Sequence, residues 1–162
     1  MPKQTVYIAT TVLSYLTSRP SRDLLVAAHQ QVTVDWWDNW LPLFDAFISA
    51  LVIEEASRGD EVAARLRLEK VAGFPVLEIT NGVRRLAEHY FETIQVPEKA
   101  RGDAFHLALA VFHGMDFLVT WNFGHILNPR VRTIVQPINT VQGISTPIIC
   151  TPEELMEVEH ED

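Results

Sequence analysis

Short apolar runs with strand character recur along this chain, each followed by a segment with helical spacing. That alternation narrows the possible folds more than any other feature. Val6-Tyr7-Ile8 is the first run, β-branched and aromatic. Phe44 to Ile53 holds the second and passes into a helix near Glu54-Glu55. Phe74 to Ile79 is the third, Phe117 to Thr120 the fourth, and Pro147 to Cys150 a last short one. Between the first two, Thr10 or Thr11 caps a helix that runs through Ser18 and closes at Arg19-Pro20. Ser21 is an N-cap candidate for a long helix toward Trp40, Asp23 suits that helix's positive end, and Pro42 ends it. Gly59-Asp60 breaks the helix after strand two, and the next one carries apolar residues at Val62, Leu66 and Val71. Asn81 to Thr93 predicts a helix burying Val83, Leu86, Ala87 and Tyr90. Glu98 to His113 predicts another, with Gly114 just past its end. Asn128-Pro129 pairs a cap residue with a first-turn proline.

Strands that alternate with helices imply a mainly parallel sheet, here of four to five strands, covered on both faces. The expected fold class is therefore α/β, a three-layer α/β/α sandwich. Ligands of such sheets sit outside the carboxyl ends of the strands, near the point where strand order reverses. That rule singles out positions 9 to 11, 54 to 55 and 120 to 125.

At 162 residues and 48% hydrophobic composition, the chain fits one domain with a real core. It is read as a single domain over 1–150 followed by an acidic tail over 151–162. Within that tail, Thr151-Pro152-Glu153-Glu154 has capping-box spacing and predicts a short helical turn. No apolar run approaches the roughly 18 residues that span a bilayer. The start of the chain lacks a signal-peptide pattern, and the lone Cys150 cannot form an internal disulfide. A cytoplasmic protein without a membrane partner is the expectation. The formal charge of −8, from 13 basic and 21 acidic residues, disfavours a tight passive nucleic-acid binder, which depends on neutralising phosphates. It suits an acidic pocket that holds a divalent cation, or a protein with a basic partner. No glycine-rich phosphate loop is present, and the acidic pair of a receiver domain is missing after strand one.

Three local patterns carry the chemistry: Tyr7-Ile8-Ala9-Thr10-Thr11-Val12-Leu13, Ser49-Ala50-Leu51-Val52-Ile53-Glu54-Glu55, and Asp103-Ala104-Phe105-His106-Leu107-Ala108-Leu109-Ala110 followed by Leu118-Val119-Thr120-Trp121-Asn122. Their order and their placement on strand one, strand two, a late helix and strand four resemble the PIN domain, whose bacterial members include the VapC-type toxin ribonucleases. The resemblance runs from about Val6 to Ile126. It implies a cluster of acidic residues that binds Mg2+ or Mn2+ and hydrolyses RNA through metal-activated water. Such ions favour hard oxygen ligands and keep several waters, so a few carboxylates suffice. Matched position by position, the first family aspartate falls on Ala9, the glutamate after strand two on Glu55, the helix aspartate on Asp103 and the fourth acidic position on Asn122. Thr10 and Thr120 match hydroxyls that brace the ligands. Ala9 has no donor atom and Asn122 offers only a neutral carbonyl. The expected site, with Glu55, Asp103 and Asn122 as catalytic and metal-binding residues, is therefore weak in metal and impaired in activity. The resemblance also implies an antitoxin protein partner and a homodimer.

Each signal has a plainer reading. Asp103 can cap its helix or face solvent, and Glu54-Glu55 can be a solvated pair. His106 shares a helical face with Asp103 and, with no further histidine at ligand spacing, reads as a packed or hydrogen-bonding side chain. Trp36 and Trp40 share a face of the long second helix and read first as packing, second as a stacking surface for bases. Arg19, Arg22, Lys99 and Arg101 are candidate phosphate contacts too unspecific to enter the site. A non-catalytic PIN-fold module that binds protein or RNA is the alternative function.

Overall fold

The computed structural model describes residues 2–156; the acidic end of the expected tail lies outside the described residues. In chain order the elements are β1 (Thr5–Ile8), α1 (Thr10–Thr17), α2 (Leu24–Asn39), β2 (Asp45–Ser49), α3 (Ala50–Ala56), α4 (Glu61–Lys70), β3 (Val76–Leu77), α5 (Asn81–Ile94), α6 (Arg101–Phe112), β4 (Phe117–Val119), α7 (Pro129–Val141) and β5 (Ile148–Cys150). The strands form one sheet in the order β3-β2-β1-β4-β5, and every pairing is parallel. The chain leaves β1 toward β2 on one side and returns to β4 on the other, so strand order reverses at β1. Consecutive residues of a strand point to opposite faces. Val6, Tyr7 and Ile8 are all buried, as are Phe117, Leu118 and Val119, so helices cover both faces of the sheet. Each fully buried aliphatic side chain of this kind contributes about 1.5–3 kcal/mol. No helix among the described residues is long and apolar enough to cross a membrane.

Short polar side chains start most of the helices. Asp23, Ser49, Asp60, Thr80 and Asn128 accept hydrogen bonds from the backbone N–H groups of Val26, Val52, Ala63, Val83 and Arg130. The capping box at the end of the described chain forms in both directions. Thr151 N–H donates to Glu154 Oε1 at 3.0 Å and Glu154 N–H to Thr151 Oγ1 at 3.2 Å. Helix α5 buries Val83, Leu86, Ala87 and Tyr90 as its spacing predicts.

Three local expectations need correction. The second strand ends at Ser49 rather than running to Ile53, because the Ser49 hydroxyl caps α3 and starts the helix at Ala50. Glu54 and Glu55 therefore lie in the last turn of α3, not at its start. Helix α1 does not use Thr10 or Thr11 as its cap. Ala9 occupies that place without a side-chain bond, and both threonine hydroxyls are engaged elsewhere. Helix α4 faces the core through Ala64 rather than Val62 and Leu66, which are 59% and 44% exposed. Arg67 sets that rotation: its guanidinium donates to the Ala56 and Arg58 carbonyl oxygens at the end of α3, at 3.0 and 2.7 Å.

Candidate functional site

The parallel register places three chain segments side by side at the carboxyl end of the sheet. Ile8 pairs with Val119, so Ala9 and Thr120 are the first residues beyond the two central strands. The Ala9 N–H donates to the Val119 carbonyl oxygen at 3.0 Å, which holds Ala9 in extended backbone just before α1. The turn from β2 into α3 brings Glu55 to the same end. Helix α6 arrives through Gly102, where any Cβ would sit 3.2 Å from Glu55 Oε2; the missing side chain lets the start of α6 lie close to the glutamate. A cavity of about 280 Å³ results, lined among others by Ala9, Thr10, Glu55, Asp103, Thr120 and Asn122. Every position proposed from the sequence thus borders one pocket, at the place where strand order reverses.

The two carboxylates are held differently. Glu55 Oε1 accepts from Thr10 Oγ1 at 2.6 Å and lies 2.7 Å from His106 Nε2. His106 Nδ1 is 2.6 Å from the Tyr7 hydroxyl, which is 2.8 Å from Ser49 Oγ. One proton assignment satisfies every member of this chain. Ser49 donates to Tyr7, Tyr7 to His106 Nδ1, and His106 Nε2–H to Glu55, while Ser49 accepts the Val52 N–H. Burial raises the Tyr7 phenol well above its ordinary value, with the Glu55 charge adding and the Ser49 bond opposing, so Tyr7 stays a donor. Burial also pushes the Glu55 carboxyl upward, but the hydrogen bonds from His106 and Thr10 outweigh it, and the group is held below its usual range. Tyr7→Phe would leave His106 Nδ1 without its donor and the Ser49 O–H without its acceptor in a dry environment. We expect it to cost about 1–3 kcal/mol in a urea unfolding titration; an unchanged midpoint contradicts the assignment.

Asp103 Oδ2 accepts from or pairs with His125 Nδ1 at 3.0 Å, and the backbone N–H of His125 donates to Asn122 Oδ1 at 2.9 Å. The Asn122 side chain thus closes a turn after β4. Thr120 Oγ1 accepts the Asn122 N–H at 3.0 Å and lies 3.2 Å from Thr11 Oγ1. Thr10 therefore braces Glu55 directly, whereas Thr120 shapes the backbone that presents Asn122. Arg58 supplies a cation to the rim but is paired at 2.7 Å with Glu54, both largely exposed.

These donors do not suit a firmly held divalent ion. Among the described residues no three His, Cys, Asp or Glu side chains are grouped to hold a metal. Glu55 already spends one oxygen on Thr10 and His106, the Asn122 oxygen is engaged by His125, and Ala9 contributes nothing. His106 is buried and doubly hydrogen-bonded, in keeping with its plainer reading. Trp36 is fully buried, Trp37 stacks on Phe74 at 5.8 Å, and Trp40 lines a cavity with Gln4, Phe44 and Phe117 at the opposite end of the strands. Arg101 is tied to Glu98 and Glu88 and covers the Phe91 ring. The sequence reading missed Tyr7, Ser49, Tyr15, Arg58 and His125. Only Asn122-Phe123-Gly124-His125, with an Asn at turn position, carried a local signal for its part.

No family model matches the chain, and no curated protein matches it in sequence. Among solved structures, the fold is similar to a chain in the crystal structure of VapBC2 from Rickettsia felis bound to a DNA fragment from their promoter. The identity is 11%, the match covers 91% of this chain and 98% of that chain, and the TM-score is 0.52. At that identity the likeness establishes the architecture: an α/β fold of the PIN-like kind, with an all-parallel five-stranded sheet.

Proposed function

We propose that this chain is a toxin-like PIN ribonuclease by descent, with activity reduced or lost because Ala9 stands where the first carboxylate of the site would be. The observation that carries this reading is the shared pocket: Ala9, Glu55, Asp103, Asn122, Thr10 and Thr120 come from four separate chain segments and border one cavity at the carboxyl ends of β1 and β4. The likeness to a chain of VapBC2 supports a toxin–antitoxin setting. In that setting an antitoxin covers the acidic pocket, a basic side chain fills the ligand space, and the chain acts in the cytoplasm as a homodimer. The substrate is RNA, whose phosphodiesters such sites hydrolyse. Mg2+ or Mn2+ would supply an activated water and charge stabilisation on the phosphoryl oxygens. Here only Glu55 and Asp103 would hold it, and weakly.

The test is Ala9→Asp assayed for RNA cleavage with Mg2+ or Mn2+. Losing supporting contacts at metal sites already costs roughly 10–100-fold, so restoring a direct ligand should raise cleavage at least as much over the unaltered chain. Chelation should abolish the gain. A second reading, a PIN-fold module that binds protein or RNA without cutting, is favoured by the engagement of each pocket carboxylate with a histidine. It is the one left standing if Ala9→Asp cleaves no RNA.

A further inference from the structure

We propose that a recess between α5, the end of α6 and the segment after α7 binds a small organic anion, a carboxylate or phosphate group on an apolar body; the proposal does not depend on the ribonuclease reading above. The recess has a volume of about 380 Å³ and shares no lining residue with the pocket at the carboxyl ends of the strands. Gly82, Arg85, Leu86 and His89 recur at helical spacing and give it one face of α5. Phe112, the last residue of α6, forms a wall, and Gln142 and Ile144 close it from beyond α7.

The charge of the lining decides the sign of the ligand. Arg85 and His89 border the recess, and none of its lining residues is acidic. Neither of these two side chains has an ion-pair partner among the described residues. Other arginines of the chain are committed: Arg58 to Glu54, Arg101 to Glu88 and Glu98, Arg67 to two carbonyl oxygens. Glu88 is thereby turned to Arg101, and Glu92, one turn past His89, does not line the recess. On a chain with 21 acidic against 13 basic residues, this recess attracts an anion where most of the surface repels one. The guanidinium offers a fork of N–H donors to the oxygens of a carboxylate or phosphate, and the imidazole can add another.

The remaining lining sets the body and the size. Leu86 is buried, Ile144 is half-buried, and Phe112 is 46% exposed. Any Cβ at Gly82 would overlap the Phe112 ring, so the glycine is what lets the ring pack against α5 as a wall. The volume is at the small end of ligand pockets and holds one ring or a short chain with its anionic group, not a polymer. The recess is also built before any ligand arrives. The Tyr90 hydroxyl donates to Asn139 Oδ1, and Asn139 Nδ2 donates to Thr146 Oγ1 at 2.9 Å, which ties α5 to α7 and to the segment after it. Gly143, at a φ of 71°, turns the chain out of α7, and the Ile144 N–H returns to the Asn139 carbonyl oxygen at 2.8 Å. Little ordering is left to be done on binding.

The test is a titration of the full chain with benzoate and with phenyl phosphate, followed by saturation-transfer NMR. Inorganic phosphate and benzyl alcohol serve as the anion and the ring alone. At least one of the two aromatic anions should bind saturably at or below about 1 mM, and their ratio reads whether carboxylate or phosphate is preferred. Each lone half should bind at least about tenfold more weakly. Arg85→Gln should weaken binding about tenfold, and His89→Gln and Phe112→Ala by smaller factors. Arg22→Gln, which removes an exposed cation elsewhere, should change nothing. Arg85 and His89 are exposed, so their variants should melt with the parent. The proposal is overturned if neither aromatic anion binds saturably, or if benzyl alcohol binds as tightly as benzoate. It is also overturned if Arg85→Gln binds like the parent, or if Arg22→Gln loses as much as Arg85→Gln.

Discussion

Trp36→Ala is expected to lower the unfolding free energy by about 3–5 kcal/mol, read from urea denaturation. Trp36 is the largest of the fully buried side chains, at 0% exposure on the inner face of α2. It meets Trp37 edge-on at 6.3 Å, and Trp37 in turn stacks on Phe74, so the indole ties α2 to the segment leading into β3. Removing it opens a cavity too large for its neighbours to fill by relaxing. Its Nε1 has no hydrogen-bond partner. Trp36→Phe therefore gives up ring volume but also an unsatisfied donor, and should cost distinctly less than Trp36→Ala. A loss below about 1 kcal/mol for Trp36→Ala would mean that α2 is not packed as described.

The second large effect concerns position 9. Ala9 is 2% exposed and faces a pocket that already holds Glu55 and Asp103. Ala9→Asp adds a third carboxylate, and the cation on the pocket rim, Arg58, is already paired with Glu54. Without a divalent ion we expect it to lose about 1–3 kcal/mol, through desolvation and repulsion among like charges. If position 9 faces a cation site, Mn2+ would bind the folded variant and not the unfolded chain. At about 100 times its dissociation constant it should return about 2.7 kcal/mol to the variant. The unaltered chain should respond to Mn2+ far less. A variant that melts at the same temperature with and without Mn2+ would show that position 9 does not face a cation site.

Much of the architecture was legible because it depends on local pattern. The β-branched run at Val6-Tyr7-Ile8, the capped amphipathic segment of α5 and the capping box at Thr151 each declare themselves within a few residues. What failed was set by distant contacts. Val62 and Leu66 have the spacing of a buried face, yet Arg67 turns α4 by bonding carbonyl oxygens at the end of α3. Thr10 and Thr11 have the chemistry of helix caps, yet their hydroxyls are drawn to Glu55 and to Thr120. The same holds for the site. Ala9, Glu55, Asp103 and Asn122 could be placed by their order along the chain. The bonds from Tyr7 to Ser49 and His106, and from Asp103 to His125, join residues 42, 99 and 22 positions apart and leave no local trace.

We propose that this pocket is a cation site lacking one carboxylate. Calorimetric titration of Mn2+ into the unaltered chain, Ala9→Asp, and Ala9→Asp combined with Asp103→Asn tests it most directly. Weak binding is expected for the first, binding at least about tenfold tighter for the second, and loss of that gain in the third. Equal binding by the unaltered chain and Ala9→Asp would contradict it.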